Sequence, residues 1–447
     1  MKKIIIIGTG PAGLGAAYRL KELKHSKFIV YERNSYAGGL CASFKDDKGF
    51  TWDLGGHILF TYYAYFDRLL KKVLRNNYLE HQREAWIRTM KRWIPYPFQD
   101  NIMYLPRDIL LECLKGLDKA RRQKKESTDF EEWIINNMGE GIAKYFMVPY
   151  NLKVWAYPLS LLGTNWISER VSKISLEEVV SRLVSNVSKT NWGPNVKFKY
   201  PLYGGIGEIF RRIACLLRHK IKYDTEVTKV DPRRRKVFLS GGKEDTYDVL
   251  INTSPLDSFL MRLEGCDKKL LHLCLDLRHN GVFVVGIGIH RPCPSNKGWM
   301  YFPGRNCPFF RTTYLSNYSP NNVPDKKKYY SLLCESAYSE YKKEDKSEIF
   351  EKTIRGLINT GLIDKDDRKF IVSKFVRDIN CAYPIPTLGR DRALRKIQPE
   401  LEKMDIYSRG RFGAWKYEIA NTDHSVMQGK EIVDRILKKG RENVWSL

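Results

Sequence analysis

The chain has 447 residues, 43% of them hydrophobic and 29% charged, with a formal net charge of +26. That length accommodates two or three domains with a sizeable core, and the apolar share excludes a disordered chain. No apolar run is long enough to span a bilayer, and nine cysteines without a CxxC pair point to free thiols in a reducing compartment, the cytosol.

The first predicted element is a buried strand, Ile4-Ile5-Ile6-Ile7, leading into Gly8-Thr9-Gly10-Pro11-Ala12-Gly13 and an amphipathic helix. A second strand, Phe28-Ile29-Val30-Tyr31, ends at Glu32. Strand, glycine turn, helix, strand and acid in one short unit form a dinucleotide fingerprint. Gly8 permits the tight turn, Gly10 lets backbone approach a pyrophosphate, and Gly13 lets the helix pack close to the strand. The helix N-terminus then faces the anion with free N–H groups. Glu32 is placed to accept from a ribose hydroxyl. Because the fingerprint begins at once, the N-terminus reads as a strand of the fold and not as a signal peptide. Two more glycine pairs follow, Gly38-Gly39 and Gly55-Gly56, the second just before His57. Each could be an ordinary turn. Together, bare backbone at two further points suits an extended ligand, FAD rather than NAD.

Farther on, Phe60, Tyr63, Phe66, Leu69, Leu70 and Val73 predict a helix over 58–76. Trp86 to Trp93 reads as a strand pair. Pro95-Tyr96-Pro97-Phe98-Gln99 reads as a stiff loop, since two prolines around an aromatic suit neither a helix nor a central strand. Residues 106–187 carry helical patterns, and Phe146, Asn151 and Trp155, at steps of five and four, can share one side of a helix. Pro201 to Gly207 is a glycine turn opening a helix with Ile209, Phe210, Ile213 and Leu217 on one face. Tyr247 to Pro255 reads as a buried strand returning to the first sheet. From 256 to about 380 short alternating runs such as Val282-Phe283-Val284-Val285 predict a sheet. The tail from 405 returns to glycine turns and a final helix. The expectation is an α/β protein: a Rossmann-like FAD-binding domain with an inserted helical domain and an antiparallel β-sheet domain. Its parts are 1–95, 196–256 and 401–447 for the flavin domain, 96–195 for the helical substrate domain and 257–400 for the sheet domain. Basic runs such as Arg233-Arg234-Arg235-Lys236 are dispersed and lack a nucleic-acid module. They predict solvated surface that steers an anionic substrate, without a specific nucleic-acid partner.

Several long segments carry more specific information. Gly55-Gly56-His57, Pro95 to Gln99, Phe146 to Ala156, Asn191-Trp192-Gly193-Pro194-Asn195, Asn306 to Arg311 and Ser408 to Gly413 resemble the UDP-galactopyranose mutases of the eukaryotic type. The likeness runs in order from Ile4 to about Leu437. The chain is shorter than typical eukaryotic members around 320–330 and at the C-terminus, where extensions can carry oligomer contacts, which leaves the oligomeric state open.

The resemblance implies a flavoenzyme without net redox turnover that interconverts UDP-galactopyranose and UDP-galactofuranose. Reduced FAD acts through N5 as nucleophile on the anomeric carbon, UDP leaves and returns, and NADPH or NADH is the reductant. Arg170 and Arg311 match the clamp on the two phosphates, a task suited to the planar guanidinium fork. Tyr301, Tyr318, Tyr383 and Tyr417 match phosphate and sugar contacts. Phe98, Gln99, Phe146, Asn151 and Trp155 match the uracil slot, with Tyr96 beside them, and Asn195 matches a polar contact near the reacting sugar. His57 matches the residue beside the flavin ring, with a flavin-tuning role. Gly38, Gly39, Gly55, Gly56, Arg88, Val227, Arg411, Asn421 and Ser425 match flavin contacts, beside Gly8, Gly10, Gly13 and Glu32. No metal is implied. The competing readings are an FAD-dependent oxidoreductase of the amine-oxidase type, a mutase for another UDP-sugar, and a binding protein with a degenerate flavin site. Paired arginines with a uracil slot separate the first of these from the mutase.

Overall fold

The computed structural model describes residues 1–123, 125–167, 170–172, 175–188 and 196–446. Strand β1 (Ile4–Ile7) is central in a five-stranded parallel sheet, between Val249–Asn252 and β2 (Phe28–Tyr31), with Ile406–Ser408 and Ile221–Lys222 at the edges. All four isoleucines are buried because both faces are covered. Ile4 and Ile6 enter one core with Leu14 of the helix α1 (Pro11–Glu22) and Val426 and Ile432 of the helix Thr422–Lys438. Ile5 and Ile7 face the other way, onto Phe259 of Leu256–Met261 and Leu394 and Ile397 of Arg390–Lys403, as the alternation of a strand requires. The sheet draws on well-separated stretches of the chain, so the flavin-type unit is discontinuous.

Between those stretches the chain builds a seven-stranded sheet in the order Ile371–Ile385, Arg278–Ile289, Tyr330–Tyr338, Arg311–Tyr314, Trp299–Tyr301, Ala85–Thr89, Arg92–Pro95. Its pairings are antiparallel except that Trp299–Tyr301 runs parallel to Ala85–Thr89. The strand pair at 85–95 therefore belongs to this sheet, across a sequence boundary at 95. Its local pattern specifies strands but not their neighbour. Met300, Phe302 and Leu332 meet the helix Ile349–Thr360 on one face. Trp299, Tyr301 and Leu333 turn to the other face and the larger core.

A helical unit lies against that second face. Arg107–Gln123 and Phe130–Ile142 cross so closely that a Cβ on Gly141 would lie 2.6 Å from the Cys113 Cα. The chain then widens into a π-helical turn, Ala143–Met147, before Val148–Trp155. Pro149 cannot donate to the preceding turn, which fits a local break in the α ladder there. The widened turn realises the step of five between Phe146 and Asn151.

Candidate active site

The glycine turn after β1 is shaped for a diphosphate. Gly8 has φ +99°, and a Cβ on Gly13 would stand 2.0 Å from the Gly8 carbonyl oxygen, so helix and turn touch through bare backbone. At Gly10 a Cβ would meet nothing within 4 Å. The helix begins there without a side-chain cap or an acid in its first turn. Its leading N–H groups thus border open space, which suits the FAD diphosphate. The Gly38-Gly39 loop closes on this turn, with Gly38 N–H donating to the Thr9 carbonyl at 3.0 Å. Glu32 is buried and fixed beside it. One carboxylate oxygen accepts from Thr9 N and Oγ1 at 2.8 and 2.7 Å, the other from Asn34 N and Nδ2 at 2.9 and 2.7 Å. Val227 opens the strand Val227–Asp231, two residues after Thr225, whose N–H donates to the Glu32 carbonyl. Gly410 and Arg411 approach from the far end of the chain. A Cβ on Gly410 would sit 2.7 Å from the Ala12 Cβ, and the Arg411 guanidinium donates to the Ala420 and Ala382 carbonyls. Asn421 occupies the N-cap position of the helix that carries Ser425.

Next to this cradle, the sheet and the helical unit enclose an aromatic chamber. Phe98, Phe146 and Tyr150 stack in sequence, with centroids 4.7 and 5.1 Å apart and interplanar angles of 14° and 8°. Tyr301 meets Tyr96 at 5.1 Å and Tyr150 at 5.6 Å. Trp155 meets Tyr417 at 4.8 Å, and Tyr417 meets Tyr383 at 5.9 Å. Gln99 donates to the Ser172 carbonyl at 2.9 Å, and Asn151 donates to the Met147 carbonyl of its own helix at 2.7 Å, which answers the polar group on an otherwise apolar face. Burial pushes the Tyr383 hydroxyl up to about 12 against the field of Arg311, and raises Tyr96, Tyr301 and Tyr318 as well. These phenols therefore stay protonated as donors.

Arg170 and Arg311 bound the chamber. Arg170 lies over the Tyr417 ring, 5.4 Å from its centroid, and donates to Asn421 Oδ1 at 2.8 Å and the Glu418 carbonyl at 2.6 Å. Arg311 lies over Trp299 and bonds Glu335 through Nε and Nη2 at 2.5 and 2.7 Å. Gly55 has φ +135°, and His57 follows with its Nδ1 buried and unpartnered. Burial foremost, then the charges of Arg411 and Arg311, lower His57 from 6.5 to about 3, so it is neutral at working pH.

Not every expected residue joins these two groups. Arg88 stacks on Trp93 and donates to the Thr360 carbonyl at 3.2 Å, next to the helix on the opposite face of the seven-stranded sheet. The resemblance aligns its position, but strand alternation turns its side chain away from the cradle. Tyr318 is packed on Phe198 and Tyr200, with centroids at 5.1 and 5.3 Å, while still within the field of Arg311. Asn195, with the rest of 191–195, lies outside the described residues. Conversely, Tyr150, Trp299 and Glu335 belong to the chamber without having been singled out from sequence. Glu335 was detectable as an acid inside the apolar run Tyr330–Tyr338. Among the described residues no cluster of His, Cys, Asp or Glu could hold a metal ion, and no helix is long and apolar enough to cross a membrane.

Comparison with known proteins places this geometry. The flavin-containing amine oxidoreductase family matches residues 11–412. A crystal structure of reduced UDP-galactopyranose mutase superposes with a TM-score of 0.96 at 39% identity, covering 99% of this chain and 96% of that one. A putative protoporphyrinogen oxidase from Exiguobacterium sp. 255-15 shares the fold, with a TM-score of 0.72 at 16% identity over 97% of this chain and 98% of that one. Zeta-carotene desaturase of Solanum lycopersicum is 39% identical over 71 residues, 16% of this chain and only 12% of the desaturase. That curated relative therefore shares a local segment with the chain, whereas the mutase shares its whole length. The chain belongs to the flavin-containing amine oxidoreductases and, within them, to the UDP-galactopyranose mutase family.

Proposed function

We propose that the protein interconverts UDP-galactopyranose and UDP-galactofuranose with reduced FAD as its cofactor. The observation that carries this reading is the chamber itself, a stack of aromatic rings closed by two arginines, set directly against a diphosphate cradle. Reduced FAD, when bound, supplies the electron pair that keeps the anomeric carbon tethered while UDP is detached. The chain's residues supply the rest. Phe98, Phe146, Asn151, Trp155 and Gln99 hold the uridine. Arg170 and Arg311 stabilise the diphosphate as it gains charge on departure, and keep it in place to recombine. The protonated hydroxyls of Tyr301, Tyr383 and Tyr417 donate to phosphate or sugar oxygens. Burial of Trp155, Phe146 and Tyr301 keeps water from a sugar separated from its nucleotide. We assign Gly8, Gly10, Gly13, Glu32, Gly38, Gly39, Val227, Arg411, Asn421 and Ser425 to FAD, and Gly55, Gly56 and His57 to the flavin ring. NADPH or NADH is the proposed reductant, and the cytosol the proposed compartment.

Incubation with UDP-galactofuranose under reducing and oxidising conditions, followed by chromatographic separation, tests the reading. UDP-galactopyranose is expected only under reduction, with far less reductant consumed than product formed. Stoichiometric consumption of NADPH or oxygen per sugar would replace the mutase by an oxidoreductase.

A further inference from the structure

A lysine and a cysteine meet where the helical unit joins the seven-stranded sheet. Lys153 lies on the helix Val148–Trp155 between Asn151 and Trp155, and Cys307 lies in the segment that runs into Arg311. The two residues are 8% and 6% exposed. The Lys153 Nζ donates to the Gly304 carbonyl at 2.9 Å and to the Cys307 carbonyl at 3.0 Å, and its third contact is Cys307 Sγ at 3.3 Å. None of these partners is a carboxylate. All nine cysteines are free, and among the described residues Cys307 is the one within hydrogen-bonding distance of a lysine amine. We propose that Cys307 and Lys153 form a modification site, at which hydrogen peroxide joins Cys307 Sγ to Lys153 Nζ in a reversible sulfur–nitrogen bond.

The surroundings of the nitrogen favour this reaction. Two carbonyls take up two of its N–H bonds, which leaves one tetrahedral position facing the sulfur. Burial foremost lowers the Lys153 amine and raises the Cys307 thiol, while each group opposes the shift of the other. An uncharged pair, amine beside thiol, is therefore accessible. In the first step the amine takes the thiol proton as sulfur attacks one peroxide oxygen. The O–O bond breaks, the other oxygen leaves with that proton as water, and a sulfenic acid remains. Sulfur is oxidised and the peroxide is reduced. In the second step the nitrogen lone pair attacks sulfur, the S–OH bond breaks, and the hydroxide leaves as water with a proton from nitrogen, so no further oxidant is needed. A reducing thiol reverses the bond: one molecule opens it as a mixed disulfide, and a second releases the Cys307 thiol. Arg305 and Asn306, next in the chain to Gly304, are exposed, which sets the pair just beneath the surface and within reach of a small oxidant. Once closed, the bond fastens the helix of Asn151 and Trp155 to the segment that delivers Arg311. Only the meaning of that fastening for nucleotide binding rests on the mutase reading; the bond itself does not.

The test is peptide mass mapping of the FAD-loaded protein after exposure to hydrogen peroxide, with remaining thiols alkylated under denaturing conditions. A species is expected that joins the peptides of Cys307 and Lys153 and is lighter than their sum by two hydrogens. A reducing thiol should return both peptides unmodified. Lys153→Arg keeps a charge and its donors but lacks an amine able to attack. In that variant the joined species is expected to vanish and Cys307 sulfenic acid to accumulate, caught by dimedone. Where Lys153→Arg is not recovered folded, dimedone added with peroxide to the unaltered protein carries the test, and should replace the joined species by a Cys307 adduct as its concentration rises. The proposal would be overturned by a Cys307 that stays a thiol under peroxide sufficient to oxidise the exposed Cys215, that ends as sulfinic acid, or that is joined to another residue. A joined species that persists in Lys153→Arg would overturn it equally. The mapping needs no substrate, so protein that forms the bond but does not convert UDP-galactofuranose strikes the mutase reading alone.

Discussion

Arg170 and Arg311 have the same charge but different surroundings. Arg170 is held by uncharged acceptors, whereas Arg311 is neutralised by Glu335. Arg170→Ala therefore removes the proposed anion site without breaking a direct bond to an acid. It should lower kcat/KM by about 2 kcal/mol or more, roughly thirtyfold, with flavin content intact. Equal kinetics in the variant would take Arg170 out of the site. His57 supplies a pH prediction. Its folded pKa lies near 3, below the 6.5 of the unfolded chain. As pH falls below 6.5 the unfolded chain takes up a proton that the folded one refuses, so the stability contributed by a neutral His57 is complete above that pH and is lost progressively toward 3. His57→Gln has no such proton. Thermal melts of both proteins between about pH 7 and pH 4.5 should show the unaltered protein losing ground to the variant as acid is added; parallel curves would refute this. At this scale the sequence is legible where a residue type is itself the requirement, as at Gly8, Gly13 and Glu32. Glu335 is visible as a misfit in an apolar strand, but its partner depends on strand register, which no local pattern encodes.

Among the elements, period alone identifies β1, β2, α1, the final helix Thr422–Lys438 and the helix Ala64–Leu74, which is shorter than the 58–76 expected because Phe60 and Tyr63 precede it. It misses the helix Arg390–Lys403, which starts inside the 257–400 sheet domain but past the alternating runs that end at about 380. Ala393, Leu394, Ile397 and Leu401 keep helical spacing there, but Pro399 and the many charges dilute the signal. The π turn at 143–147 is hidden for another reason. It is a compromise between Pro149 and the packing of Phe146 on Phe98, and only the second of these is tertiary. The crossing of Arg107–Gln123 and Phe130–Ile142 is set by missing side chains. Gly141→Ala forces a methyl to within 2.6 Å of backbone and should cost about 1–3 kcal/mol, read as a lower melting temperature. Gly163→Ala, whose added Cβ would meet its neighbours at an ordinary 3.7 Å, is the matched control and should melt unchanged.

For the whole molecule, the sequence discloses the alternation of flavin, helical and sheet segments, but not that residues 85–95 cross over to complete the seven-stranded sheet. That crossing seats Trp299 and Tyr301 between the N-terminal segment and the central strands, where the chamber forms. The cradle allows a clean separation of folding from cofactor binding. Gly10→Val meets no protein atom near its new Cβ yet fills the open space at the helix start. It should give folded, colourless protein, whereas Gly13→Ala drives a methyl to 2.0 Å from the Gly8 carbonyl oxygen and should impair folding itself. Yellow Gly10→Val protein would move the diphosphate elsewhere. The parallel sheet under this cradle also has a consequence for synthesis on the ribosome. β1 is made long before its neighbour Val249–Asn252 and the edge strand Ile406–Ser408. A nascent chain leaves its opening hydrophobic strand with one flank unpaired through much of translation, a period when chaperone protection matters most. Flavin capture is then a late event, and newly made protein should turn yellow only once Ile406–Ser408 and the helix Thr422–Lys438 have emerged.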